Sequence, residues 1–229
     1  MASSQPVEIF DSWKALFSSS KSELLPAISQ RKLNLQPEEE FYLIYAQTLH
    51  SYHHGDVEEL RKIENNLQRH SALEPEWQAI AICIRLRLWT REEALTMERL
   101  TNALKFEASD FPYWEGEIHI LAGHGFGLLD QHQKARETFD VAVTQFLKAQ
   151  EPSRALFAEF SSLCAEAVSA PEKNRIPLFH ALARRGLRGA EKNLCVAGLS
   201  YLNMSREYQV LGAHHAAMNF ANRSVRILE

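Results

Sequence analysis

The stretch GHGFGLLDQHQKARETFDVA, residues 123–142, decides the fold. Asp130 stands in it as a turn residue between two apolar-periodic segments, and Ala135 follows five positions later. The same beat occurs elsewhere. Gly55 precedes Leu60 by five, Gly212 precedes Ala217 by five, and Thr90-Arg91-Glu92-Glu93-Ala94-Leu95 repeats the pattern with one turn residue missing. A helix–helix turn needs a residue that leaves the helix easily, and a tight crossing needs a small side chain soon after. HGDVEEL, residues 54–60, follows His50 and His53 and on its own suggests a metal-binding corner. Beside the other three turns it is one beat of a repeat.

Helix signals fill the rest of the chain. Phe41, Ile44, Tyr45, Thr48, Leu49 and Tyr52 recur at three- and four-residue steps, as do Leu194, Ala197, Tyr201, Met204, Tyr208 and Leu211. That is the spacing of one helix face, and no sustained alternation argues for strands. Ser20-Lys21-Ser22-Glu23 and Thr90-Arg91-Glu92-Glu93 have the form of capping boxes. Pro37, Pro75, Pro112 and Pro152 each stand near the start of a long periodic segment, where a missing N–H costs nothing. They lie 38, 37 and 40 residues apart, and Gly189 stands another 37 on. A period of this size predicts a solenoid of helix pairs.

The turn pattern resembles the tetratricopeptide repeat (TPR). Gly123, Phe126, Asp130, Ala135, Phe139 and Ala142 match its small, aromatic, turn, alanine, aromatic, alanine order without a gap. Tyr201, Ser205, Tyr208, Gly212, Ala217, Ala221 and Ser224 fit nearly as well. The block at Gly55 has Leu60 in the alanine slot, and residues 153–188 keep helical periodicity without the motif. The resemblance implies an all-α fold, a right-handed superhelical solenoid of antiparallel helix pairs with lengthened, degenerate repeats. Its expected extent is residues 34–229, with an N-terminal capping helix pair over residues 1–33 covering the first repeat. Ile227-Leu228-Glu229 falls inside a helix, so the expectation is an array that continues in a longer protein, a bacterial signalling or transcription regulator.

Composition narrows the function classes. The 229 residues are 45% hydrophobic and 24% charged, an ordinary globular balance. A net charge of -4 and a pI of about 6.2 argue against direct nucleic-acid binding. Arg184, Arg185 and Arg188 are expected as cations near a helix end. Glu8 and Asp11 interrupt the N-terminal segment, so no secretory leader is expected, and no stretch is apolar enough to cross a membrane. Cys83, Cys164 and Cys195 are odd in number and far apart, and are expected to be reduced core residues of a cytoplasmic protein.

Catalytic and metal chemistry find little support. His50 and His54 share a helix face, but Gly55 ends that helix and no third ligand stands nearby. His214 and His215 face different directions, and His132 and His214 occupy a packing slot after the turn. No nucleophile motif occurs. Gly123-His124-Gly125-Phe126-Gly127 lacks the strand before it and the helix start after it that a phosphate loop needs. Inside a helix each glycine costs about 1 kcal/mol relative to alanine, which points to close packing or to room along a groove. Glu38, Glu39 and Glu40 suit the first turn of a helix. The expectation is no enzyme, no cofactor and no metal.

In a TPR array the first helices line the concave face. The groove positions expected here are Tyr42, Tyr45, Leu49 and Tyr52; Glu117, Ile120, His124 and Gly127; and Leu199, Leu202, Arg206 and Gln209. About half of such a set should be core. The lysine/asparagine clamp of the family's chaperone-binding members is absent at these positions, so a co-chaperone role is not expected. The expected function is protein–protein interaction, with a partner peptide or helix in the concave groove. Two alternatives differ in class. One is a small-molecule or signal-nucleotide sensor around His124–Gly127 and the tyrosines. The other is a homodimer through the terminal repeat.

Overall fold

The computed structural model describes residues 10, 13, 14, 26–30, 39–68, 74–106 and 110–229. The N-terminal pair expected over residues 1–33 falls largely outside these residues. The Ser20–Glu23 box, Pro37 and the expected boundary between residues 33 and 34 fall wholly outside them. Among the described residues there is no strand; residues 26–30 are helical, and ten α-helices follow from Glu40 onward. They are α1 (Glu40–His54), α2 (Val57–Gln68), α3 (Pro75–Arg91), α4 (Met97–Ala103), α5 (Pro112–Leu128), α6 (His132–Lys148), α7 (Pro152–Ser169), α8 (Ile176–Gly186), α9 (Leu194–Val210) and α10 (His214–Leu228). The chain forms two compact units, Met1–Leu95 and Thr96–Glu229.

The helix ends follow local chemistry. Pro75, Pro112 and Pro152 are the first residues of α3, α5 and α7. Gly55 and Gly212 end α1 and α9 in the left-handed region, at φ 74° and 73°, where glycine alone carries no Cβ penalty. Glu93 and Asp130 adopt the same conformation after α3 and α5, at φ 53° and 57°. The Thr90 capping box is a correction. Thr90 lies within α3 and its hydroxyl donates to Leu86 O at 2.7 Å. The true cap is Thr96, whose Oγ1 accepts from Arg99 N at 3.2 Å. Leu100 of α4, fully buried, lies against Gly125 of α5.

In the first unit, α1 and α3 are buried on more than one side and α2 on one. Leu60, Ile63 and Leu67 of α2 are 0%, 7% and 2% exposed, an amphipathic stripe facing α1 and α3. Trp13 is buried, and its Nε1 donates to Glu39 Oε1 at 2.9 Å.

In the second unit, Ala135, Phe139, Ala142 and Phe146 form the buried stripe of α6. Glycines on α5 let these rings approach its backbone. A Cβ on Gly116 would lie 2.8 Å from Phe146 and one on Gly123 would lie 2.5 Å from Phe139, while one on Gly125 would lie 2.7 Å from Leu100. Gly127, by contrast, faces open space. The C-terminal core joins Leu156, Phe160 and Leu163 of α7 to Phe179 and Leu182 of α8 and to Val196, Tyr201 and Met204 of α9. Fully burying each large side chain contributes about 1.5–3 kcal/mol. Buried Arg175 closes the C-terminus of α7 by donating to Glu166 O at 3.0 Å, to Ala170 O and to Lys173 O at 2.8 Å.

Two packing expectations change. Cys83 is buried and Cys164 is half-buried against the C-terminal core, but Cys195 is exposed. His214 is exposed rather than packed, because the first turn of α10 turns it outward.

Candidate partner-binding face

Helices α5, α7 and α9 carry the expected groove positions at equal steps from their first residues. Counting 5, 8, 12 and 15 residues from Pro112 gives Glu117, Ile120, His124 and Gly127. The same steps from Pro152 give Phe157, Phe160, Cys164 and Ala167, and from Leu194 they give Leu199, Leu202, Arg206 and Gln209. Specific contacts tie these lines together. Glu117, 2% exposed, pairs with Arg154 at the start of α7. The His124 ring stands edge-on to Phe139 at 5.1 Å and 6.1 Å from Phe157. Between α7 and α9, Asn203 Nδ2 lies 4.0 Å from Cys164 Sγ.

The face grades from closed to open. Glu117, Ile120 and Phe160 are its buried floor. Phe157, Cys164, Ala167, Leu199 and Leu202 are half-buried, and His124, Arg206 and Gln209 are exposed. Burial pushes the Cys164 thiol up to about 12, against the opposing pull of Arg206. Arg206 makes no hydrogen bond or ion pair among the described residues. The surface is an apolar strip with a solvated cation beside it. It can hold apolar side chains and orient a polar group.

The tyrosine stripe belongs to the first unit and is more closed. Tyr42, Tyr45 and Leu49 are 8%, 1% and 6% exposed. Tyr42 Oη donates to Glu76 Oε1 at 2.9 Å, and burial followed by the Glu76 charge pushes the phenol well above its usual range. Arg87 Nη2 donates to Tyr45 Oη at 3.0 Å, and its guanidinium lies 5.6 Å from the Tyr45 ring and 5.3 Å from the Tyr52 ring. Arg91 covers Tyr52 at 4.4 Å. Of the four, Tyr52 alone keeps half-open surface. Arg87 and Arg91 had no motif to mark them. Phe157 follows from Pro152 once the groove positions are carried onto α7, whereas Arg154, two residues after Pro152, falls at none of them.

Elsewhere in the first unit, an open cleft of about 460 Å³ lies between α2 and α3, lined by Arg61, Glu64, Asn65, Arg85, Leu88, Trp89 and Glu92. Its charges are already paired: Arg61 with Glu92, and Arg85 Nε with Glu64 Oε1 at 3.1 Å. The His50 and His54 rings lie 4.3 Å apart. Among the described residues no group of three or more His, Cys, Asp or Glu side chains could hold a metal ion. No helix among them is long and apolar enough to cross a membrane.

No family model matches the chain, and no curated protein matches it. Among solved structures, it is similar to the crystal structure of BtubC (BKLC) from P. vanneervenii, with a TM-score of 0.62 and 16% sequence identity, over 91% of each chain. At that identity the likeness speaks for the fold alone.

Proposed function

We propose that the chain is a non-enzymatic, TPR-like interaction module, a solenoid of antiparallel helix pairs that binds a partner peptide or helix along α5, α7 and α9. One observation carries this reading. At the same steps from their helix starts, α7 and α9 hold half-buried Phe157, Cys164, Leu199 and Leu202, so a partly open apolar strip runs across these two helices and reaches His124 of α5 at its edge. A partner laid across it buries Phe157, Leu199 and Leu202 and meets His124, Arg206 and Gln209 at the rim. Such anchors, half-open and held by a rigid core, are what a peptide groove needs.

The test is binding by the full chain and by a Leu199→Glu/Leu202→Glu variant. The reading expects a protein or peptide partner that the parent retains and the variant loses, with the helical signal unchanged. Equal retention by both would place the interface elsewhere. A second reading, small-molecule recognition, draws on the α2–α3 cleft, whose volume suits a small ligand. Stabilisation by a metabolite, abolished by Trp89→Ala and untouched by the Leu199/Leu202 variant, would favour it.

A further inference from the structure

Helix α10 has two unlike faces. One packs on α9: Ala217 and Ser224 are buried, Ser205 Oγ donates to Ala217 O at 2.8 Å, and Phe220 stacks on Tyr208 at 5.3 Å and on Tyr201 at 5.8 Å. The other carries His215, Met218, Asn222, Val225 and Glu229, all exposed, at steps of three, four, three and four. That is the spacing of a coiled-coil seam, with Met218 and Val225 at one core position and Asn222 centred at the other. Met218 and Val225 are 59% and 52% exposed, and at the foot of the helix Val210 and Leu211 are 87% and 67% exposed.

We propose that this face is a self-association surface, on which α10 of a second copy packs in parallel about a two-fold axis. Self-matching identifies the occupant. In parallel register Met218 meets Met218, Val225 meets Val225 and Asn222 meets Asn222, so each amide finds an amide. An in-register asparagine of this kind fixes both alignment and a two-stranded state. Run antiparallel, the seam would set Asn222 against Met218 and His215 against Val225, leaving polar groups facing apolar ones. A two-fold contact uses the same patch on both copies, as this pairing does.

The area is consistent with such a pair. The four apolar side chains expose on the order of 400 Å², the scale of the largest apolar patch on a typical monomer. With His215, Asn222 and Arg226 beside them, the patch approaches the ~800 Å² per partner of a standard interface. In this register Glu229 meets Glu229 at the exposed end of the seam, where solvent screens the like charges, and Arg226 borders it with the opposite sign. This surface is separate from the strip on α5, α7 and α9 and stands whether or not that strip binds a peptide.

Sedimentation velocity of the full chain, from about 10 μM to about 1 mM, tests the proposal. The mass should rise from 26.2 kDa towards twice that value. Met218→Glu and Val225→Glu should each move the midpoint at least about tenfold higher in concentration with an unchanged helical signal. Asn222→Cys should form an intermolecular disulfide under mild oxidation faster than the parent, whose exposed Cys195 is the control. A monomer throughout the range overturns the proposal, as does a dimer indifferent to both glutamates. A dimer that forms without a disulfide at position 222 overturns the parallel pairing.

Discussion

Gly123→Ala and Gly127→Ala add the same methyl to the same helix one turn apart, and the structure predicts opposite outcomes. A Cβ at position 123 would sit 2.5, 2.7 and 2.9 Å from Phe139 Cε1, Cδ1 and Cζ, whereas a Cβ at 127 would meet nothing within 4 Å. Ordinary contact begins near 3.4 Å, so the ring must move by nearly 1 Å. It has little freedom to do so: Phe139 is 3% exposed and the His124 ring stands edge-on to it at 5.1 Å. Both substitutions gain about 1 kcal/mol of helix propensity. Only the first incurs overpacking, about 1–3 kcal/mol. Gly127→Ala should therefore stabilise by about 0.5–1 kcal/mol and Gly123→Ala should destabilise by about 1 kcal/mol. At about 2–4 °C per kcal/mol the two midpoints should differ by several degrees. Urea and thermal unfolding followed by far-UV circular dichroism measure both. Equal stability of the two variants would mean that Phe139 is not pinned and that the close α5–α6 crossing is misread.

Three further outcomes follow from the same packing. Arg154→Met removes the cation beside buried Glu117 and should cost about 3 kcal/mol, most of it recovered by adding Glu117→Leu; a loss under about 0.5 kcal/mol in urea unfolding contradicts a buried ion pair. With its pKa raised to about 12, Cys164 should hold about a thousandfold less thiolate at pH 8 than an ordinary thiol and react with iodoacetamide correspondingly slowly, faster only as pH rises. Mass spectrometry showing Cys164 labelled at the rate of a small-molecule thiol would refute that burial. Gly212→Ala should cost about 1–2 kcal/mol at its φ of 73°, while Glu93→Gly should cost nothing or gain; the reverse order of midpoints would show that the turns are not left-handed.

Much of the local order was legible because its signals are short-range. A proline in a first turn needs no distant partner, so Pro75, Pro112 and Pro152 mark their helices correctly. The Asp130–Ala135 beat likewise reports a turn and the crossing after it. Thr90 misled because a threonine before two glutamates fits a cap, yet its hydroxyl folds back onto Leu86 O within the helix. The Glu117–Arg154 pair was illegible because its partners lie 37 residues apart. The same holds for the tyrosines. The repeat frame put Tyr42, Tyr45, Leu49 and Tyr52 in one groove, but not under Arg87 and Arg91, which α3 brings over Tyr45 and Tyr52. The glycine cluster illustrates the limit best. Its sequence left packing and groove both open; Gly116, Gly123 and Gly125 lie against side chains, and Gly127 lies against none.

Site-specific photocrosslinking from Leu202, in the full chain inside cells, tests the central claim most directly. A partner laid across α5, α7 and α9 should give a discrete crosslinked protein band from Leu202 and from Phe157, and none from exposed Glu137 on α6. Crosslinks from Glu137 with none from Leu202 or Phe157 would contradict the account and move the interface to the opposite helices.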